Sequence, residues 1–112
     1  METSETKIND IVMLGLTGKL DALTSPPLQT KLLAAIADGE KHFAVDCAQL
    51  EYISSAGLRV LLLVTKQLRS VSGKMVLYAL KPHVKEVFDL AGFSAALPLC
   101  GSQTDALASF RH

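Results

Sequence analysis

Two adjacent serines, Ser54 and Ser55, are the side chains of this chain best placed for a chemical event. They lie between a short apolar piece, His42 to Val45, and a helical pattern that runs from Leu58 to about Ser72. A hydroxyl at such a junction has two uses. It can accept a hydrogen bond from the helix's unpaired first N–H groups. It can also present an oxygen near the surface, at the positive end of the helix dipole, where a phosphate is tolerated. The residues alone leave both uses open for either serine. Nucleophilic catalysis is not supported, because Ile53 breaks the Gly-x-Ser-x-Gly pattern around Ser55. His42, His83 and His112 have no spacing that suggests a base or a metal pair. Gly15 and Gly18 are not followed by the Gly-Lys-Ser/Thr of a phosphate-cradling loop. Asp21, Asp38, Asp46 and Glu51 read as solvated or capping carboxylates. No catalytic residue, metal site or cofactor is expected, and no enzymatic activity.

The elements that hold this junction can be read in order. Asn9-Asp10 is a turn pair between Thr6-Lys7-Ile8 and Ile11 to Leu16, which implies a hairpin whose second strand is more central. Gly18-Lys19-Leu20-Asp21 leaves that strand. Thr24-Ser25-Pro26-Pro27 looks like a helix entrance with a hydroxyl cap and first-turn prolines, and Gly39 closes the helix. The strand His42 to Asp46 follows. After the central helix come a strand over Lys74 to Ala79 and a helix from Pro82 to Gly92. Leu97-Pro98-Leu99 reads as a short edge strand. A last helix spans Asp105 to about Arg111, with Leu107 and Phe110 inward. This alternation implies one α/β domain over residues 1–112, with a mixed β-sheet of about five strands and about four helices.

Within the central helix, Val60, Leu61, Val64, Leu68 and Val71 share one face at about 100° per residue, and that face must be core. Ser55, Arg59, Lys66 and Ser70 share the opposite face, with Leu62 and Leu63 beside them. Two leucines there imply a surface that something covers: either another helix of this chain, the last one included, or a partner.

Composition narrows the class. Hydrophobic residues make up 49% and charged residues 20%, as in a globular domain. Eleven basic residues balance eleven acidic ones, which argues against nucleic acid or an anionic membrane as partner. Cys47 and Cys100 are too few for a disulfide framework and are expected to stay reduced. The longest apolar run, Val60 to Val64, is too short to span a bilayer, and Met1 to Thr6 is too polar for a secretory signal. A soluble, cytoplasmic monomer is expected.

Several pieces together resemble a known family. They are Gly18-Lys19-Leu20-Asp21 with Thr24, Asp46 with Leu50, the run Tyr52-Ile53-Ser54-Ser55-Ala56-Gly57-Leu58-Arg59-Val60-Leu61, then Pro82-His83-Val84 and Leu90-Ala91-Gly92-Phe93. Over nearly its whole length the chain resembles a stand-alone STAS domain of the bacterial anti-sigma factor antagonist type. The resemblance implies a protein that binds an anti-sigma factor, itself a serine kinase with a histidine-kinase-like ATPase domain, and so frees a sigma factor. Phosphorylation of one serine at the start of the central helix ends binding, and a PP2C-type phosphatase restores it. Some members carry Asp-Ser-Ser-Gly or Asp-Ser-Thr-Gly here; this chain has Ser54-Ser55-Ala56-Gly57. Ala56 cannot accept phosphate, which narrows the acceptor to Ser54 or Ser55. Ser55 is taken as the acceptor and Ser54 as the cap or minor acceptor. The partner-binding residues implied are Asp21, Thr24, Ser54, Ser55, Ala56, Gly57, Arg59, Leu62, Leu63 and Lys66. Asp21 and Thr24 are also expected to shape a turn and cap the first helix, and Gly57 to permit a close approach. Two rivals remain: a STAS interaction subunit outside sigma control, acting in partner switching of secretion or surface behaviour or in a lipid-transport ATPase, and a small enzyme.

Overall fold

A computed structural model of the chain describes residues 1–92 and 97–110. The hairpin forms as the turn pair implies. Strand β1 (Glu2–Ile8) runs antiparallel to β2 (Ile11–Leu20), with Ile8 opposite Ile11. Asn9 takes the left-handed conformation, φ 57°, which asparagine tolerates better than most residues. Helix α1 (Ser25–Ala37) follows, with Pro26 and Pro27 in its first turn and Gly39 beyond its end at φ 103°. Next come β3 (His42–Ile53), α2 (Ser55–Arg69), β4 (Lys74–Tyr78), α3 (Pro82–Leu90), β5 (Leu99–Cys100) and α4 (Gln103–Ala108). The sheet order is β1-β2-β3-β4-β5, and every pair after the hairpin is parallel. The described residues thus form five strands and four helices in a mixed sheet, as the alternation implied.

Parallel neighbours joined by one helix each place α1, α2 and α3 on one face of the sheet. Val12, Leu14, Phe43, Val45, Met75 and Leu77 meet Leu28, Leu32, Leu61, Val64, Val84 and Phe88 there. Alternate residues, Ile11, Met13, Ala44, Val76 and Tyr78, face the other way and are covered by α4 through Ala106, Leu107 and the following Phe110. Cys47 is buried on the helical side. Burial pushes its thiol pKa up to about 12, with the Asp46 carboxylate adding to the shift.

Several boundaries differ from the sequence reading. The strand read as ending at Asp46 continues to Ile53, and Gly18-Lys19-Leu20 stays within β2. Register shifts between Gly15 and Thr17, and between Gly18 and Lys19, break the period-two pattern that would have revealed this. Helix α2 ends at Arg69, before Ser72. Ser72 takes φ 59°, and Gly73 serves for close approach: a Cβ there would lie 2.5 Å from the Lys41 carbonyl oxygen. Strand β5 starts at Leu99 and α4 at Gln103, and Phe93 and Arg111 lie outside the described residues.

Candidate functional site

The long β2 and β3 carry the site. β3 pairs with β4 only as far as Asp46, opposite Tyr78. Beyond it the strand runs on beside β2, to the pair Leu20–Ile53. The edge this exposes is covered by the entrance to α3. Lys81 Nζ lies 3.0 Å from Glu51 Oε1, and His83 Nε2 lies 2.7 Å from the Glu51 carbonyl oxygen. A carbonyl only accepts, so that nitrogen carries the proton. The carboxyl ends of β2, β3 and β4 thus bring together three segments: Asp21–Thr24, Ser54-Ser55, and Lys81–His83.

The β3–α2 junction has no slack. The Ser54 amide donates to the Leu20 carbonyl oxygen at 2.9 Å. Ser54 Oγ accepts from the Gly57 amide at 3.3 Å, which makes Ser54 the N-cap. Ser54 is therefore used on both sides. Gly57 is buried, and a Cβ there would lie 2.8 Å from Leu20 Cγ, 2.9 Å from Ile53 Cγ1 and 2.9 Å from the Leu20 carbonyl oxygen. Gly57 thus lets the helix close onto the strand ends, the close approach expected of it. Ala56 is half-buried.

Ser55 is the first residue of α2 and is exposed. Its amide and that of Ala56 have no acceptor within the helix, a property of any first turn. Arg59, one turn on, is exposed and makes no ion pair among the described residues. Lys66 continues the stripe. Leu62 is half-buried and Leu63 is 43% exposed. Helix α4 packs on the far side of the sheet, so the suggestion that the last helix covers them is wrong. Leu63, with part of Leu62, thus lies exposed beside the cationic stripe that runs down α2 from Ser55.

The Asp21–Thr24 segment is a compact turn. Asp21 Oδ1 accepts from the Leu23 amide at 3.0 Å and the Thr24 amide at 3.1 Å. Thr24 Oγ1 lies 2.8 Å from both the Asp21 amide, from which it accepts, and the Lys19 carbonyl oxygen, to which it donates. The Thr24 and Leu23 amides hold the Asp21 carboxyl below the usual carboxylate range. Thr24 makes no side-chain cap to α1, contrary to the sequence reading, because its hydroxyl is spent inside the turn. Sequence reasoning also missed Leu23, which this turn leaves 85% exposed. In sequence, Ala-Leu-Thr ahead of a helix looks like ordinary apolar filling, and no local signal gives its outward direction. Tyr52, at the same end, is 49% exposed.

The described residues contain no group of three or more His, Cys, Asp or Glu side chains able to hold a metal ion. Among them, no helix is long and apolar enough to cross a membrane. The site is a surface with one exposed hydroxyl and one half-buried capping hydroxyl at a helix start, flanked by a stiff turn and a mixed cationic and apolar stripe. That is the form of a recognition module.

Comparison with known proteins agrees with this class. Residues 3–106 match the STAS domain family, and the chain belongs to it. A Bordetella bronchiseptica protein described as a candidate anti-sigma factor antagonist, BtrV, is 42% identical over 111 residues, covering 99% of this chain and 96% of that one. A crystal structure of a candidate anti-sigma factor antagonist from Thermotoga maritima superposes with a TM-score of 0.93 at 17% identity, covering 98% of this chain and 95% of the other. The Bacillus cell fate determinant SpoIIAA in its phosphorylated form gives 0.76 at 20% identity, covering 98% and 100%. These structural likenesses establish the fold.

Proposed function

We propose that this protein is an anti-sigma factor antagonist switched by phosphorylation of Ser55. In its unmodified form it binds an anti-sigma factor that is also a serine kinase with a histidine-kinase-like ATPase domain, and the sigma factor is released. Transfer of phosphate to Ser55 ends binding, and a PP2C-type phosphatase restores it. The chain itself performs no catalysis and works in the cytoplasm. The observation that carries the reading is the division of labour between neighbours: Ser54 is held by Leu20 and Gly57, while Ser55 stands exposed at the first turn of α2. The name of the Bordetella relative supports the antagonist role. Among structural neighbours, SpoIIAA has been solved both unphosphorylated and phosphorylated.

The physical argument is local. A phosphoserine adds a charge of about −1.5 to −2. At the start of α2 it meets the helix dipole and the free first-turn amides, so the fold is expected to tolerate it. A partner seated over Leu62 and Leu63 would have to desolvate that charge, which is costly without a matching cation. Ser55→Glu is expected to weaken partner binding more than tenfold while the melting temperature stays near that of the unsubstituted chain. The direct test is incubation with the cognate anti-sigma kinase and ATP, followed by mass spectrometry of the peptide spanning Ser54 and Ser55. Phosphate on Ser55, absent in Ser55→Ala, is expected. Phosphate on Ser54, or none on either, refutes the reading.

A further inference from the structure

We infer that Leu23 is the apolar anchor by which the anti-sigma partner grips this protein beside its switch, an assignment that rests on the function proposed above. Two independent features point to it. The first is exposure: 85% of this leucine faces solvent, and the loss of apolar contact is greater than at Leu63 or Tyr52. Leu90 is 81% exposed, but it is the last residue of α3 and lies at the opposite end of the sheet. The second is rigidity. The turn that presents Leu23 is closed by Asp21 Oδ1 on the Leu23 and Thr24 amides, by Thr24 Oγ1 on Lys19 and Asp21, and by the Ser25 amide on the Asp21 carbonyl oxygen at 2.9 Å. The backbone of Leu23 is thus already ordered before anything binds. A preformed anchor loses little entropy on docking, so more of its burial appears as affinity.

The position fixes the occupant. The Leu20 carbonyl oxygen receives the Ser54 amide, and the turn begins at the next residue, Asp21. A standard interface covers about 800 Å² on each partner, a patch roughly 30 Å across. A patch of that size that includes Ser55 reaches this turn as well, because the turn starts beside the residue bonded to Ser54. The partner is accordingly expected to offer a small apolar pocket for Leu23, next to the surface that meets Ser55 and Arg59. The turn then supplies affinity and partner choice, and the serine supplies the switch.

The test uses the full chain and the purified anti-sigma kinase that phosphorylates it, in calorimetric titration and in phosphorylation kinetics. Leu23→Ala is expected to weaken binding by roughly tenfold to a hundredfold, the range for removing a fully buried leucine side chain. It is expected to raise KM for this protein as kinase substrate by a similar factor, with kcat kept. Leu23→Met, which retains apolar reach, is expected to stay within threefold of the unsubstituted chain. Melting temperatures should not change, since the side chain touches little in the free protein. If Leu23→Ala binds within twofold of the unsubstituted chain while Ser55→Glu does not bind, the anchor is refuted and the switch stands. If the unsubstituted chain does not bind the kinase at all, the functional reading falls and the anchor falls with it.

Discussion

Replacing Gly57 by alanine tests whether the start of α2 is held as tightly as the contacts imply. The added Cβ would sit 2.8 Å from Leu20 Cγ, 2.9 Å from Ile53 Cγ1 and 2.9 Å from the Leu20 carbonyl oxygen. Comfortable carbon contacts lie at about 3.5–4.0 Å, so the two side-chain carbons are roughly 0.6 Å or more too near, and the carbonyl oxygen is also inside contact distance. The carbonyl cannot rotate away, because it receives the Ser54 amide at 2.9 Å. Overpacking of this kind costs about 1–3 kcal/mol. Alanine returns up to about 1 kcal/mol through its better helix propensity. A net loss of about 1 kcal/mol is expected, seen as a lower urea midpoint at unchanged m and a melting temperature lower by about 4–8 °C. Gly101→Ala is the control: a Cβ there meets nothing within 4 Å, and near-neutral stability is expected. If Gly57→Ala proves as stable as the parent or more so, the junction yields freely and the account of how Ser55 is positioned is wrong.

The remaining predictions concern the same region. Ser54→Ala is expected to lose about 1 kcal/mol in chemical denaturation, because the cap on the Gly57 amide goes, while Ser55→Ala is near neutral. Equal effects would show that the two hydroxyls are not divided as described. Ser25 Oγ is buried with no hydrogen-bond partner among the described residues, so Ser25→Ala is expected to stabilise by about 1 kcal/mol, checked by thermal melting; a lower melting temperature would refute this. The Asp21 carboxyl titrates below its ordinary value in the folded chain, so its contribution is present above about pH 4 and is lost as pH falls through the lowered folded value. Amide resonances of Leu23 and Thr24 should therefore move with a midpoint below about pH 4. Movement centred at or above pH 4 would contradict the hydrogen bonds drawn to Asp21 Oδ1.

Much of the architecture was legible because its punctuation is local. Gly39 and Gly92 follow the ends of α1 and α3 with φ 103° and 73°, as C-terminal glycines do, and the prolines at the entrances of both helices stand in their first turns. The core stripe of α2 was visible from spacing: Val60, Leu61, Val64 and Leu68 are buried, while Val71 lies past the helix end and packs on the core only partly buried. What escaped notice depends on partners distant in sequence. The run from Cys47 to Ile53 looks like a loop, yet it is strand because β2 pairs with it through two register shifts. Thr24 has the type and place of a cap, but Lys19 and Asp21 take its hydroxyl first. The direction of Leu23 follows from that same turn, and the side of the sheet taken by α4 from packing with Ile11, Met13 and Val76. Neither leaves a periodic trace.

The unequal binding of two neighbouring hydroxyls carries a consequence for fidelity. Modifying Ser54 would take its oxygen from the Gly57 amide that it caps, whereas Ser55 can be reached with that cap in place. The backbone thus presents the two hydroxyls unequally: one bonded and half-buried, the other exposed. In the function proposed above, the local fold adds to whatever preference a modifying enzyme and the one that reverses its work have for Ser55.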